Sequence, residues 1–198
     1  MNDKLLNIYN TMLKALGHQN WWPGDTPFEI AVGAILTQNT SWKNVEKAIN
    51  NLKNNNLLHP ESLHDLPTEK LAQLIKPAGY FRVKTKRLKN FIAFLFDNYQ
   101  ADLNNLNHIS TDLLKNQLLE INGIGPETAD SILLYALNRP VFVVDTYTAR
   151  IAVRHHLIEP DLDYHSLQYL FESNLTPPDT QMYNEFHALL VQIGKSYC

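Results

Sequence analysis

Apolar residues recur at intervals of three and four along almost the whole chain, the spacing that makes one face of a helix. Phe28, Val32, Ile35 and Leu36 fall on one stripe. So do Leu88, Phe91, Ile92, Leu95 and Phe96, and later Met182, Phe186, Leu189, Leu190 and Ile193. Stripes of this width bury against neighbouring elements and leave a polar face in water. Start signals accompany them. Thr40 precedes SWKNVEKAINNL, Thr68 precedes EKLAQLI and Ser110 precedes TDLLKNQLLE. A hydroxyl placed there accepts a first-turn N–H that has no partner inside the helix. Only VFVV at 141–144 reads as strand, and four residues without a partner run are expected to be extended buried backbone. The asparagine-rich NLKNNNLLH reads as a helix end and loop. The sequence therefore predicts an all-α fold, with about ten helices and short connections.

The chain of 198 residues is long enough for one sizeable core or two smaller lobes. It has no apolar run long enough to span a bilayer, and MNDKLLNIYN lacks the layout of a secretory signal. The expected compartment is the cytoplasm. Its single cysteine, Cys198, excludes an internal disulfide. Net charge is −3, which by itself argues weakly against a nucleic-acid partner. The charge is unevenly placed, however. Lys76, Arg82, Lys84, Lys86, Arg87 and Lys89 stand together with no acid among them. Set these six of the 17 basic residues aside, and 11 remain against 20 acidic ones. Two readings follow: an anion-binding face on an acidic body, centred on Arg82, Lys84, Lys86 and Arg87, or a solvated helix surface.

The stretch INGIGPETAD at 121–130 makes a tight turn between two helical runs. LLKNQLLEI ends near Ile121, and Pro126 with Glu127 behind it opens the next helix. Gly123 and Gly125 permit a positive φ or the close approach of another backbone. Ile124 between them is expected to plug the gap between the two helices. Backbone N–H groups at such a helix start suit a phosphate, although an ordinary helix–helix turn has the same sequence. Farther on, Asp145 follows the apolar VFVV and opens another helical run. It reads as an N-cap, or as an acid facing a ligand pocket.

Taken together, LLEINGIGPETADSILLYAL and VFVVDTYTAR resemble the helix–hairpin–helix and following aspartate of the endonuclease III superfamily of DNA glycosylases. FEIAVGAILTQNTSWKNVEKAINNL, IKPAGYFRVKTKRLKNF and NEFHALLVQIGKSYC resemble further segments of that family, so the likeness runs over residues 25–198. WWPGDTPFE and LTQNTSW are most similar to its alkylpurine, or 3-methyladenine, branch. The resemblance implies a two-lobed all-α fold with a cleft between the lobes. Residues 20–139 would form a six-helix barrel lobe carrying the hairpin. Residues 1–19 and 140–198 would form the second lobe, carrying a catalytic aspartate. Double-stranded DNA with a damaged base would be the partner of a monomeric protein, which works without a membrane.

The implied reaction is hydrolysis of the N-glycosidic bond of a base flipped out of the duplex. A carboxylate near the sugar steadies the positive charge that develops there and can activate water. Asp145 fits that role. Gly123, Ile124, Gly125 and Thr128 would hold DNA phosphate. Gln38 and Asn39, in a turn between helices, would fill the gap left by the base or simply cap helix ends. Trp21, Trp22, Trp42 and Tyr147 are candidates for the base pocket. A flat aromatic face suits an electron-poor alkylated purine, and tryptophans also fill cores. Arg150 would line the pocket or touch phosphate, Tyr80 and Phe81 read as core, and His155 and His156 as surface. Bifunctional relatives carry a lysine where this chain has Glu127, which implies a monofunctional enzyme without abasic-site lyase activity. No metal site is expected. Cys198 matches the first of four iron–sulfur ligands in the family; a lone thiolate cannot hold that cluster. Either the protein does without it or the other ligands follow Cys198. Two alternatives remain: a glycosylase for oxidised or mismatched pyrimidines, and a non-catalytic DNA-binding module.

Overall fold

The computed structural model describes residues 1–197; Cys198 lies outside the described residues. Among them the chain is helical with no strand, and it divides into two units. One unit is continuous, Gly24–Leu137; the other joins Met1–Pro23 to the segment beginning at Asn138. The segment 20–23, with both Trp21 and Trp22, thus belongs with the two termini and not with the larger unit.

The larger unit holds α2 (Pro27–Leu36), α3 (Trp42–Asn54), α4 (Pro60–Asp65), α5 (Thr68–Leu74), α6 (Phe81–Tyr99), α7 (Thr111–Glu120) and α8 (Pro126–Ser131). That is seven α-helices among the described residues of this unit, where six are expected. Helix α2 is its centre. Phe28, Ala31, Val32, Ala34, Ile35 and Leu36 are all buried, and α2 packs against α3, α6 and α8. A helix that is apolar all round can only sit inside. Thr26 starts it, its hydroxyl accepting the Glu29 N–H at 3.1 Å. Ser110 caps α7 in the same way, while α3 begins after Ser41 rather than Thr40. Helix α8 passes into a π-helical turn, Ile132–Ala136, whose residues are all buried.

The basic run on α6 is not one surface. Lys76, Arg82 and Lys86 are exposed, but Lys84 is 1% exposed. Its ammonium donates to Leu36 O at 2.8 Å and Ala78 O at 2.7 Å, closing the C-terminal end of α2 and the turn before α6. Lys89 likewise donates to the carbonyls of Leu63, His64 and Leu66. The run therefore splits between fold and surface, because carbonyls left bare at helix ends need donors. Tyr80 corrects the expectation too. It is 73% exposed, held in the left-handed region at φ 44° as the cap of α6. Burial and the neighbouring Arg87 pull the Lys84 amine down to about 8, so at neutral pH it still donates as an ammonium. Lys84→Ala is expected to lower unfolding stability by about 2–4 kcal/mol, since it strips two buried carbonyls of their donor. Lys86→Ala should stay within about 0.5 kcal/mol. Denaturant midpoints of the two variants check this.

The second unit holds α1 (Asn2–Leu16), α9 (Thr146–Arg154), α10 (Tyr164–Asn174) and α11 (Thr180–Tyr197). VFVV runs through it as extended chain, with every residue buried. It needs no strand partner because α10 supplies one. Glu172 Oε1 accepts the Phe142 N–H at 2.8 Å, and Gln168 Nε2 donates to the Phe142 carbonyl at 2.7 Å. That meets the demand of a buried peptide group for partners. The Phe142 ring stacks on Phe171 at 4.3 Å, and Phe186 and Tyr183 meet it edge-on. This aromatic cluster fixes where the chain leaves the core, which is at Asp145.

Candidate active site

Asp145 is the N-cap of α9. Its Oδ1 accepts both the Thr148 N–H at 2.7 Å and the Thr148 hydroxyl at 2.8 Å. Its Oδ2 faces His187 Nε2 of α11 at 3.7 Å, an ionic contact rather than a hydrogen bond. The two side chains are 12% and 6% exposed. Burial pushes the Asp145 carboxyl up, but His187 and the Thr148 donors outweigh it and hold the carboxyl below its ordinary range. An ionised acid at a nearly closed site, fixed through one oxygen only, is an arrangement suited to steadying a cation.

Around this acid α11 gathers other groups. The Trp21 ring lies 6.3 Å from the His187 ring and 5.7 Å from Trp22, both edge-on. The Lys195 ammonium sits 5.3 Å from the Trp21 ring centroid. Glu185, two residues before His187, ties down the segment leading to the tryptophans. Its carboxylate accepts the Gln19 N–H at 2.6 Å and meets His18 Nδ1 at 3.2 Å. The Trp21 indole N–H is buried and has no hydrogen-bond partner among the described residues. Tyr147 is placed differently from Trp21. Its ring lies so close to Gly194 that a Cβ there would be 2.4 Å from it, and Arg150 lies over it at 5.7 Å. Tyr147 therefore joins α9 to α11, and the helix-interior Gly194 is what lets it.

In the larger unit, the NGIG turn is held from behind. Gly123 has φ 101°, and a Cβ on it would stand 2.2 Å from Arg87 Cγ. Arg87 donates to Gln38 Oε1. Gln38 Nε2 in turn donates to Gly123 O at 3.0 Å and Thr128 Oγ1 at 2.9 Å. Asn90 donates to the Asn122 carbonyl at 2.9 Å. Arg87, Gln38 and Thr128 thus form a clamp on the hairpin. Gln38 has its amide committed to it, whereas Asn39 is exposed at φ 54°. Ile124 is buried as the plug, and Gly125 is exposed at an ordinary φ of −96° with open space about it. Gly123, not Gly125, is the glycine the fold requires. Gly123→Ala is expected to cost about 1–3 kcal/mol through strain and displacement of Arg87, and Gly125→Ala well under 1 kcal/mol, about the scale of a surface change. Thermal melts compare the pair. Trp42 opens α3 in this unit and is half-buried. His155 and His156 are exposed.

Residues 32–177 match a family described as HhH-GPD superfamily base excision DNA repair protein. The chain belongs to this superfamily. It is 48% identical over 200 residues to the protein named "Putative DNA repair glycosylase MJ1434" of Methanocaldococcus jannaschii, covering 99% of this chain and 89% of that one. It is 27% identical to Endonuclease III of Thermotoga maritima, over 87% of this chain and 75% of that one. Among solved structures, H. pylori 3-methyladenine DNA glycosylase (MagIII) bound to 1,N6-ethenoadenine superposes with TM-score 0.84 at 29% identity, covering 100% and 98% of the two chains. A trapped Endonuclease III–DNA covalent intermediate gives TM-score 0.83 at 19% identity, covering 100% and 88%, a likeness of fold. The HhH-GPD chain is accordingly a base excision repair protein of the DNA glycosylase class. No helix among the described residues is long and apolar enough to cross a membrane. No group of three or more His, Cys, Asp or Glu among them is placed to hold a metal. Cys198 is the one cysteine of the given sequence.

Proposed function

We propose that this protein is a monofunctional DNA glycosylase that removes alkylated purines from duplex DNA by hydrolysis. The observation that carries the reading is Asp145: an almost buried, ionised carboxylate with one oxygen pinned and the other turned toward His187, whose ring lies edge-on to Trp21. In the proposed step the bond between C1′ and the base nitrogen breaks, and its electron pair leaves with the base. Asp145 steadies the sugar cation. Water adds to C1′ and gives up its proton to the carboxylate or to solvent, leaving an abasic site. Trp21 offers an aromatic face and a buried N–H for the flipped base, since stacking is worth about 1–3 kcal/mol per base. Exposed Lys86 and Arg82, with the open Gly125 turn, supply the phosphate contacts. Glu127, in the first turn of α8, stands where bifunctional relatives carry their lysine, and a carboxylate forms no imine.

The test is a panel of duplexes with one lesion each, assayed for free base. Cationic 3-methyladenine, neutral 1,N6-ethenoadenine, an oxidised pyrimidine and a thymine mismatch span the alternatives. Release of the purines with no release of the pyrimidines is the expected result; the reverse pattern replaces the purine reading with the pyrimidine one. Release of none would leave a DNA-binding module. The Lys195 ammonium against Trp21 adds a finer expectation. It opposes a second cation at the same ring, so Lys195→Met should raise the rate on 3-methyladenine more than on ethenoadenine.

A further inference from the structure

His187 lies in the NEFHALLVQIGKSYC segment with no role assigned to it there, yet it contacts two groups the proposed reaction uses. It lies on the buried face of α11, with its ring edge against Trp21 and its Nε2 toward Asp145 Oδ2. Asp145 Oδ1 already accepts two bonds from Thr148. The carboxylate torsion is broad and soft, so fixing one oxygen does not fix where the other points. Oδ2 is the oxygen left for the sugar cation and the water, and His187 is the group beside it.

We propose that His187 is a positioning residue for the Asp145 carboxylate, its Nε2–H closing onto Oδ2 when substrate is bound and holding that oxygen toward the sugar. The inference rests on the reading of Asp145 as the catalytic carboxylate. A contact of 3.7 Å in the free protein is long for a hydrogen bond, and such contacts tighten in the complex with substrate. Trp21 against the ring limits its tilt, so that a base stacked on Trp21 would be coupled to the placement of the acid. The groups acting on the Asp145 carboxyl are Thr148 from its own helix and His187 from α11, against the opposing effect of burial. Removing His187 therefore leaves burial less opposed, and the carboxyl moves up.

Three variants decide it in single-turnover base release on a duplex carrying a lesion that the wild type removes. His187→Leu is expected to lower the rate about 10- to 100-fold, the worth of a hydrogen bond to a charged group, with DNA affinity within about twofold, a difference well under 1 kcal/mol. His187→Gln, whose amide can donate to Oδ2, should recover most of the rate. The pH profile adds a reading that mere packing would not move. The wild-type rate should stay flat down to about pH 4, near the ordinary aspartate value. In both variants the acid limb should move up into the measured range. A folded His187→Leu protein with wild-type rate and a flat profile, beside an inactive Asp145→Asn, would overturn the proposal and leave Asp145 catalytic. Loss of rate and DNA binding together, unrecovered by glutamine, would overturn it as well and make His187 a core residue. Should His187→Leu not fold, the acid limb of His187→Gln decides alone, and an unshifted limb refutes the role. An active Asp145→Asn would instead sink the reading on which this proposal stands.

Discussion

Asp145→Asn is expected to cut base release by about 10³-fold or more, while binding to damaged duplex survives or strengthens. The magnitude follows from removing preorganised charge at the atom where the transition state develops its own, a loss of about 4 kcal/mol in comparable sites. The fold should tolerate the change. The asparagine oxygen can accept the Thr148 N–H and hydroxyl as Oδ1 does now, and asparagine caps helices about as well as aspartate. Removing a negative charge also removes repulsion of DNA phosphate, so affinity need not fall. Folding stability carries a second signature. The folded Asp145 carboxyl lies below its ordinary value of 3.8. Its stabilising contribution is therefore complete above that value and fades as pH falls through the depressed one. The difference in denaturant midpoint between wild type and Asp145→Asn should accordingly narrow toward acid pH and be steady from pH 5 upward. Single-turnover kinetics, a binding isotherm and two denaturant series make the measurement. Near-wild-type base release by the variant would reduce Asp145 to a cap.

The parts of this protein that were legible in the sequence are those set by neighbours in the chain. Ser110 caps α7, Pro126 opens α8 and Asp145 caps α9 because each needs only the next three residues to do so. The buried extended run at 141–144 was legible for the same reason, although the way α10 satisfies its backbone was not. What stayed hidden depends on residues far apart. Lys84 reads as a surface charge until α2 and the turn before α6 present it with two bare carbonyls. Gln38 reads as a gap-filling residue or a helix-end cap until the hairpin 85 residues later takes its amide. His187 is the clearest case. It interrupts the apolar stripe of α11 at a buried position, and a histidine there is a signal, but only the packing of α11 against α9 says that it faces Asp145. Gly194 carried a similar hint: a glycine inside a helix costs stability unless something approaches closely, and Tyr147 does.

The wild-type protein is further expected to release the base and leave the abasic strand uncut, an all-or-none difference from a bifunctional enzyme. Imine formation needs an unprotonated amine at the sugar carbon. Position 127, where the resembled lyases carry that amine, holds an exposed glutamate. Five of the twelve lysines are engaged elsewhere. Lys84 and Lys89 donate to backbone carbonyls, Lys115 pairs with Asp130 at 2.8 Å, Lys53 bridges Asp25 and Glu29, and Lys4 donates to the His155 carbonyl. Lys195 differs, because its ammonium lies over the Trp21 ring, whose edge meets His187 beside Asp145. The product should therefore run as full-length strand on a denaturing gel until it is treated with hot alkali, and borohydride should trap no covalent complex. Strand cleavage before alkali, with a trapped complex, would refute the monofunctional reading. Loss of that complex in Lys195→Ala would then name the amine, because water and a carboxylate alone cannot leave a protein bound to the sugar through a reducible bond.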